Sequence, residues 1–361
     1  MMQKRIILLF GGKSPEHEIS IVSARNIYNA IDKSKFDVDL VGISKNGTWY
    51  LEKPEEHQNS AFVIGEKGKK IALIPGESKN KLLLLDEGVF LSDFDAVFPI
   101  THGPNGEDGT LQGLLCQLDL PFVGPGVLGS SMAMDKDICK RIVQSAGIKT
   151  APWVVVYKHE KEKINYKEIT NKLGSILFIK PANMGSSIGV SKSTDEISFN
   201  KAIEQAFIFD TKILIEKGIN GREIECAVLG NELAEASCVG EVVMNQGIYD
   251  FESKYKSADA AQLFIPAQNL SEDEVQRIRN TCLAVYKALG LEGMSRVDVF
   301  LTSEGEVYLN EPNTLPGFTS ISMYPKLWGE SGIKYADLIE KLINLAIDRH
   351  NRDNKIKRDR I

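Results

Sequence analysis

Two acids that a β-ribbon sets face to face constrain this chain more than any other feature. Residues 293–317 read as two strands around the turn Glu304-Gly305. Residues 295–300 alternate in character, so Arg296 and Asp298 fall on one face. Residues 307–311 form the returning strand. If the hairpin is symmetric about Glu304-Gly305, Asp298 lies opposite Glu311 and Arg296 opposite Asn313. Directly opposed side chains sit about 5 Å apart at Cβ, and like charges there are destabilising. A cation between them relieves the repulsion. Two carboxylates with the amide oxygen of Asn313 suit hard Mg2+, which usually keeps waters and substrate phosphates as its other ligands. A three-residue turn would shift the pairing by one. On spacing alone, a solvent-facing hairpin whose acids repel mildly stays open as the alternative.

The composition narrows the class. A chain of 361 residues suggests two or three domains of roughly 150 residues each. With 43% hydrophobic and 25% charged residues it is an ordinary globular sequence, which excludes disorder. Forty-three basic against 49 acidic residues give a net charge of −6, which argues against a general nucleic-acid binder. The apolar runs fall short of the ~20 residues that cross a bilayer. Lys4-Arg5 precedes only a short run at 6–10, too brief for a signal-peptide core. The 5 cysteines are scattered and lack C-x-x-C pairing, so they read as reduced thiols, and a cytoplasmic setting is expected.

The first third reads as α/β. Residues 5–10 are a continuous apolar run followed by Gly11-Gly12, as a buried parallel strand would be. A helix is predicted to start with Ser14 as N-cap and Pro15 in its first turn, with Ile19, Val22, Ile27 and Ile31 as its apolar face. Strands at 37–43 and 96–100, a hairpin over 70–91 and a helix at 110–118 complete a doubly wound sheet, which binds ligands at its loop ends. This domain is taken as 1–125. A second unit, 126–215, holds a helix at 136–146 and strands at 153–157 and 176–180. A third, 216–347, holds long antiparallel strands at 223–230 and 234–243, a turn at 245–247, a polar loop at 251–262, a helix at 271–289 and a last helix at 333–346. Residues 348–361 read as a polar, solvated and frayed tail.

Three loops suggest a site. Residues 180–189, Lys180 through Ser186-Ser187 to Gly189, follow an apolar strand and offer backbone N–H groups and hydroxyls to an anion, with Lys180 at the base. A plain turn is the other reading. The usual P-loop is missing, because Ile7 stands where its first glycine belongs, and no G-x-G-x-x-G follows the first strand. That counts against a dinucleotide oxidoreductase. Glu16 either offsets a helix dipole or recognises a substrate ammonium. His102, in the polar stretch 101–109, is either a solvated or structural group or part of a site.

Together these segments resemble the ATP-grasp enzymes, specifically the D-alanine–D-alanine ligase family. Residues 11–20, 102–109 with Gln112-Gly113, Met134-Asp135-Lys136, 180–189, 216–219, Lys254-Tyr255, 296–298 and 311–320 follow the family's motifs in order. The resemblance implies a three-domain fold with ATP between the central and C-terminal units. It implies Lys136, Lys180 and Lys254 on the phosphates, with Ser186 and Ser187 in the loop around them. Glu216, Lys217 and Ile219 would hold adenine, Glu223 the ribose, and Phe300, Asn310 and Glu311 would complete the pocket. Asp298, Glu311 and Asn313 would bind two Mg2+, with Mn2+ as an alternative. Glu16 and His102 would meet the first D-alanine and Ser322 the second carboxylate. Arg296 and the Gly317 N–H would stabilise the oxyanion, and Ser186 and Tyr255 would latch onto Glu16. The implied reaction makes D-alanyl-D-alanine for peptidoglycan through an acyl phosphate, in a cytoplasmic homodimer that binds neither nucleic acid nor membrane. Tyr255 favours an amine acceptor. Gly218, Ile248 and Asn310 depart from the usual purine-pocket residues, and Met323 follows Ser322 near the acceptor site.

Overall fold

The structure is a computed structural model that describes residues 3–59, 61–76, 79, 81–244 and 261–357. The predicted turn at 245–247, Ile248, Lys254, Tyr255 and nearly all of the predicted loop at 251–262 lie outside the described residues.

The first sheet holds β1 (Lys4–Gly11), β2 (Phe36–Ile43), β3 (Trp49–Glu52), β4 (Lys69–Leu73), β5 (Leu82–Leu84), β6 (Val89–Phe90) and β7 (Ala96–Pro99), in the order β6-β5-β4-β3-β2-β1-β7. The strands β2, β1 and β7 pair in parallel, Val97 of β7 adds a parallel bridge to Phe122, and the remaining strands extend the sheet as antiparallel neighbours. The unbroken apolar run of β1 has a simple cause: both its faces are covered. Ile6, Leu8 and Phe10 enter one core, while Ile7 and Leu9 enter another against the helix Thr110–Gln117.

The first helix corrects the predicted cap. It runs His17–Ala30, and Glu16 occupies the N-cap position. Ser14 does not cap it; its Oγ accepts the Glu16 N–H at 3.1 Å in the preceding turn. Gly11 and Gly12 both have positive φ, so the chain leaves β1 through a turn that only glycine adopts easily and reaches the helix two residues late. The buried stripe is Ile21, Ala24, Ile27 and Ile31, and Val22 is exposed beside it.

The second sheet holds β8 (Trp153–Tyr157), β9 (Leu177–Pro181), β10 (Ser191–Ser193) and β11 (Lys212–Lys217), in the order β10-β9-β11-β8. The third holds β12 (Arg222–Gly230), β13 (Glu235–Met244), β14 (Ala261–Phe264), β15 (Gly293–Leu301) and β16 (Val307–Asn313), in the order β14-β13-β12-β15-β16. A break at 215/216 would cut β11, and the turn at 218–221 is where the second and third sheets part. The helix Glu272–Ala288 starts at a capping box between Ser271 and Glu274 and covers the core face of the third sheet. The helices Val127–Met134 and Lys136–Ser145 add Ala133, Cys139 and Val143 to that same core.

The tail also needs correction. The last helix runs Tyr335–Asp353, well into the stretch read as frayed. Arg349 is 6% exposed and donates to Gly124 O at 2.5 Å and Phe122 O at 2.8 Å. Among the described residues of the tail, Arg349 is the buried one, while Asp348, Asn351 and Asn354 stay exposed. Through this helix, the first sheet and the third share one core.

Candidate active site

The acid pair is where the ribbon argument put it, by a different route. Near the turn the pairing is Leu301↔Val307 and Val299↔Leu309, which centres the hairpin on Glu304 and is one residue off the predicted register. A β-bulge then intervenes, and beyond it Asp298 pairs with Glu311 and Arg296 with Asn313. The bulge also sets which way the acids point. Val307 and Leu309 face the core, so strict alternation would send Glu311 after them. Asn310 is the extra residue that turns Glu311 and Asn313 to the opposite face.

On β12, Glu225 pairs with Asp298 from the other side. Three carboxylates, Glu225, Asp298 and Glu311, thus form a row across three strands. The cations that relieve them here belong to the protein. Arg296 forks onto Asp298, with Nε 2.7 Å from Oδ1 and Nη2 2.7 Å from Oδ2, and its Nε lies 3.0 Å from Glu225 Oε2. Asn313 Nδ2 donates to Asp298 Oδ2 at 2.9 Å, and Lys136 Nζ stands 3.4 Å from Glu311 Oε2. Burial alone would pull the Arg296 guanidinium down, but Asp298 and Glu225 hold it well above its ordinary range. Among the described residues, no three His, Cys, Asp or Glu side chains converge as a metal cage. Two carboxylates in a row with one amide do fit Mg2+, which takes oxygen donors and completes its shell with water and phosphate.

The second sheet faces this row with lysines. In β9 and β11, Ile179, Ile213 and Ile215 turn to the core, which leaves Lys180 and Glu216 on the opposite face. Lys180 Nζ is 2.7 Å from Glu216 Oε2, and Lys140 Nζ is 3.0 Å from Glu216 Oε1. Burial would raise the Glu216 carboxyl, but the two lysines hold it below its usual range. Burial would lower Lys180, but Glu216 first, then Glu311 and Glu223, hold it above its own. Those last two carboxylates bring the third sheet within charge range of the second. Burial pulls Lys140 below its range, by more than Glu216 restores. Lys136 also donates to Met184 O at 2.6 Å, and so ties the 182–190 loop to the acid row.

That loop meets the first domain. Ser186 Oγ donates to Glu16 Oε1. Ser186 and Ser187 both have positive φ, uncommon for residues with a Cβ and typical of backbone held for a purpose. Glu16 is buried, and a Cβ on Gly103 would come within 2.7 Å of its Oε2. Beyond β16, a Cβ on Gly317 would meet Ser322 Oγ at 2.7 Å, and that Oγ accepts the Thr319 N–H at 2.9 Å. Gly317 and Ser322 therefore face one another. His102 is buried instead of lining open space, with Nδ1 3.0 Å from Leu315 O. Burial would lower its pKa, but Glu107, then Glu16, hold it above the usual value.

Of the remaining predicted residues, Glu223 and Phe300 pair directly on the acid-row face of β12 and β15. Asn310 forms the bulge, Lys217 ends β11 and is exposed, and Ile219 lies in the turn after it. Lys254 and Tyr255 lie outside the described residues. Sequence reasoning missed Glu225 and Lys140. Both carried a signal: Glu225 alternates with Glu223 on one strand face, and Lys140 follows Lys136 by four on one helix face.

Comparisons with known proteins give the family. A family profile described as D-ala D-ala ligase N-terminus matches residues 5–125, and one described as D-ala D-ala ligase C-terminus matches residues 142–344. The chain is 51% identical over 362 residues to the D-alanine–D-alanine ligase of Shouchella clausii (strain KSM-K16), across 99% of this chain and 98% of that one. It is 47% identical over 362 residues to D-alanine–D-alanine ligase A of Escherichia coli (strain K12), across 99% of each. Among solved structures, the D-alanine-D-alanine ligase from Coxiella burnetii superposes with TM-score 0.85 at 36% identity, covering 98% of each chain. The VanG D-Ala:D-Ser ligase from Enterococcus faecalis superposes with TM-score 0.86 at 36% identity, covering 96% of this chain and 100% of that one. Two profiles that together span most of the sequence, and relatives similar over nearly all of it, lead to one statement: the chain belongs to the D-alanine–D-alanine ligase family of ATP-grasp enzymes.

Proposed function

We propose that this chain joins two D-alanines into D-alanyl-D-alanine for peptidoglycan precursors, with cleavage of ATP to ADP and phosphate. The observation that carries this reading is the acid row of the third sheet set against Lys136 and Lys180, with Glu16 and Gly317 nearby. Phosphoryl transfer depends on positioning and on neutralising charge, and these groups are suited to both.

A carboxylate oxygen of the first D-alanine attacks the γ-phosphorus, and the bond from phosphorus to the ADP oxygen breaks, giving D-alanyl phosphate. Glu16, held by Ser186, pairs with the ammonium of that D-alanine, and His102 stands behind it. Lys136, Lys180 and Lys254 hold the phosphates with the Ser186-Ser187 loop. Glu216, Lys217, Ile219, Glu223, Phe300 and Asn310 hold the nucleoside. Asp298, Glu311 and Asn313 would hold two Mg2+, replaceable by Mn2+, whose chemistry when bound is to offset phosphate charge. The amine of the second D-alanine, its carboxylate at Ser322, then attacks the acyl carbon. Phosphate leaves with the oxygen it took, and the amine loses a proton. Arg296 and the Gly317 N–H receive the oxyanion, and Glu225 anchors Arg296 independently of Asp298. Tyr255 with Ser186 and Glu16 excludes water, which would otherwise hydrolyse the acyl phosphate.

The setting goes with this reading: a cytoplasmic homodimer that binds neither nucleic acid nor membrane. Among the described residues no helix is long and apolar enough to cross a membrane. The test is the product made from ATP, Mg2+ and D-alanine, identified by mass. The dipeptide with stoichiometric phosphate supports the reading. Product only when D-serine or D-lactate is added overturns the acceptor, and no D-alanine-dependent phosphate overturns the reaction.

A further inference from the structure

The backbone on both sides of Gly317 is held from outside the site. His102 Nδ1 lies 3.0 Å from Leu315 O, two residues before Gly317. One residue after it, the Phe318 N–H donates to Ser23 Oγ at 3.3 Å. The Phe318 carbonyl accepts from Asn26 Nδ2 at 3.1 Å and from the Tyr335 hydroxyl at 2.7 Å. Ser23 Oγ also lies 3.4 Å from His102 Nε2, so the two sides of the clamp touch. The Phe318 ring is fully buried against Phe98, Tyr324 and Tyr335. Gly317 therefore sits between two immobilised neighbours.

Most of these contacts come from the first domain. Ser23 and Asn26 lie on the helix His17–Ala30 that begins just after Glu16. Along it, Ser20 and Ser23 are both completely buried, on a helix that also buries His17, Ile21, Ala24 and Ile27. Ser20 Oγ accepts the Gly11 N–H at 2.7 Å and donates to Ile100 O at 2.6 Å, which locks the helix onto the ends of β1 and β7. Burying a hydroxyl without a partner is unfavourable, so each of these has a definite partner. At one end of this polar line stands Glu16, and at the other the loop that bears Gly317.

We propose that Ser23 and Asn26 are positioning residues that aim the Gly317 N–H at the reacting carbonyl, so that the helix at the first-substrate site also sets the oxyanion geometry. This rests on the reading of Gly317 as an oxyanion donor. An oxyanion donor acts only when placed at about 2.7–3.1 Å from the developing charge, and small misplacements of a reacting group can lower rates by about 10²-fold.

The test uses the full chain with Ser23→Ala and, separately, Asn26→Ala, the second at a half-buried position that tolerates truncation. Three quantities are read: amide hydrogen exchange over residues 314–319, kcat and KM for dipeptide formation, and D-alanine-dependent positional isotope exchange in 18O-labelled ATP. The last reports phosphoryl transfer without the carbonyl step. The expected result is faster exchange over 314–319 with the helix Glu272–Ala288 unchanged. With it, kcat falls by about tenfold, short of the ~10²-fold limit above, while KM for ATP and the isotope exchange hold within about twofold. Parallel loss of both half-reactions would make the role merely structural and overturn the proposal, as would unchanged kcat. Unchanged exchange over 314–319 would remove the clamp itself. If the unsubstituted chain makes no dipeptide, the reading of the site falls, and the aiming role with it, whatever the exchange shows.

Discussion

Arg296 carries three jobs on one side chain. It separates Glu225 from Asp298, it orients Asp298, and in the proposed mechanism it faces the oxyanion. Truncation to alanine leaves two buried acids opposed across β12 and β15 without their shared cation. We expect Arg296→Ala to lower dipeptide formation by about 10²–10³-fold, as loss of an oxyanion donor does, while ATP binding stays within a few-fold by calorimetry. A near-normal rate would remove Arg296 from that role. A second residue-scale effect lies far from the chemistry. His57 is completely buried against Phe10 and Phe62, and burial, helped by the Arg25 charge, pushes its pKa down to about 4. The unfolded chain takes up this proton near pH 6.5, so the protein keeps this stability above that pH and loses it as pH falls toward 4. The loss amounts to about 3 kcal/mol. Urea unfolding of the wild type and His57→Gln between pH 7 and 4.5 checks this, and parallel pH slopes would contradict it. The facing of Asp298 and Glu311 across the ribbon was legible from sequence alone, whereas a single role for Glu16 came only from the resemblance to the family. The partners of the two facing acids were not legible. Facing acids need positive charge beside them, and part of it comes from the chain itself, from Arg296 on Asp298 and Lys136 near Glu311.

At the scale of elements, the bulge in β16 decides whether there is a site. Without Asn310, alternation from Val307 and Leu309 would send Glu311 and Asn313 toward the apolar core. We expect deletion of Asn310 to abolish D-alanine-dependent phosphate release and to lower the melting temperature sharply, whereas Asn310→Ala, which keeps the extra residue but loses a nucleoside contact, leaves the melting temperature and kcat near those of the wild type and raises KM for ATP. A deletion variant that retained turnover would contradict the register argument. The hairpin itself was legible, since alternation over 295–300 and the Glu304-Gly305 turn specify it. The bulge was not, because one added residue leaves no periodic trace in so short a strand. The helix His17–Ala30 shows the same limit. Its existence follows from apolar spacing, but Ser14 and Pro15 mimic a start that the glycine turn before them displaces.

For the whole molecule, many of the strands were legible one by one, but the break at 215/216 falls inside β11, and the way the sheets share cores was not legible. The helices Val127–Met134 and Lys136–Ser145 belong by sequence to the second unit and by packing to the third. The last helix joins the first sheet to the third, and Arg349 fastens it to Phe122 and Gly124. Each hydrogen bond from a charged donor contributes about 1.5–3 kcal/mol. We expect Arg349→Ala to lower unfolding free energy in urea by about that much or more, and truncation after Asp353 to have little effect. Equal stability of the Arg349 variant would mean that the helix end is not a structural tie. Such a tie matters because the proposed reaction needs Glu16, Lys180 and Gly317, which come from three separate parts of the fold, held in one geometry. The most direct test of that geometry follows an atom. D-Alanine labelled with 18O in its carboxylate is incubated with ATP, Mg2+ and the protein, and the released phosphate is analysed by mass. An acyl phosphate pathway places one labelled oxygen in the inorganic phosphate for each dipeptide formed. Phosphate without label, or label recovered in AMP, would contradict the assignment of this site.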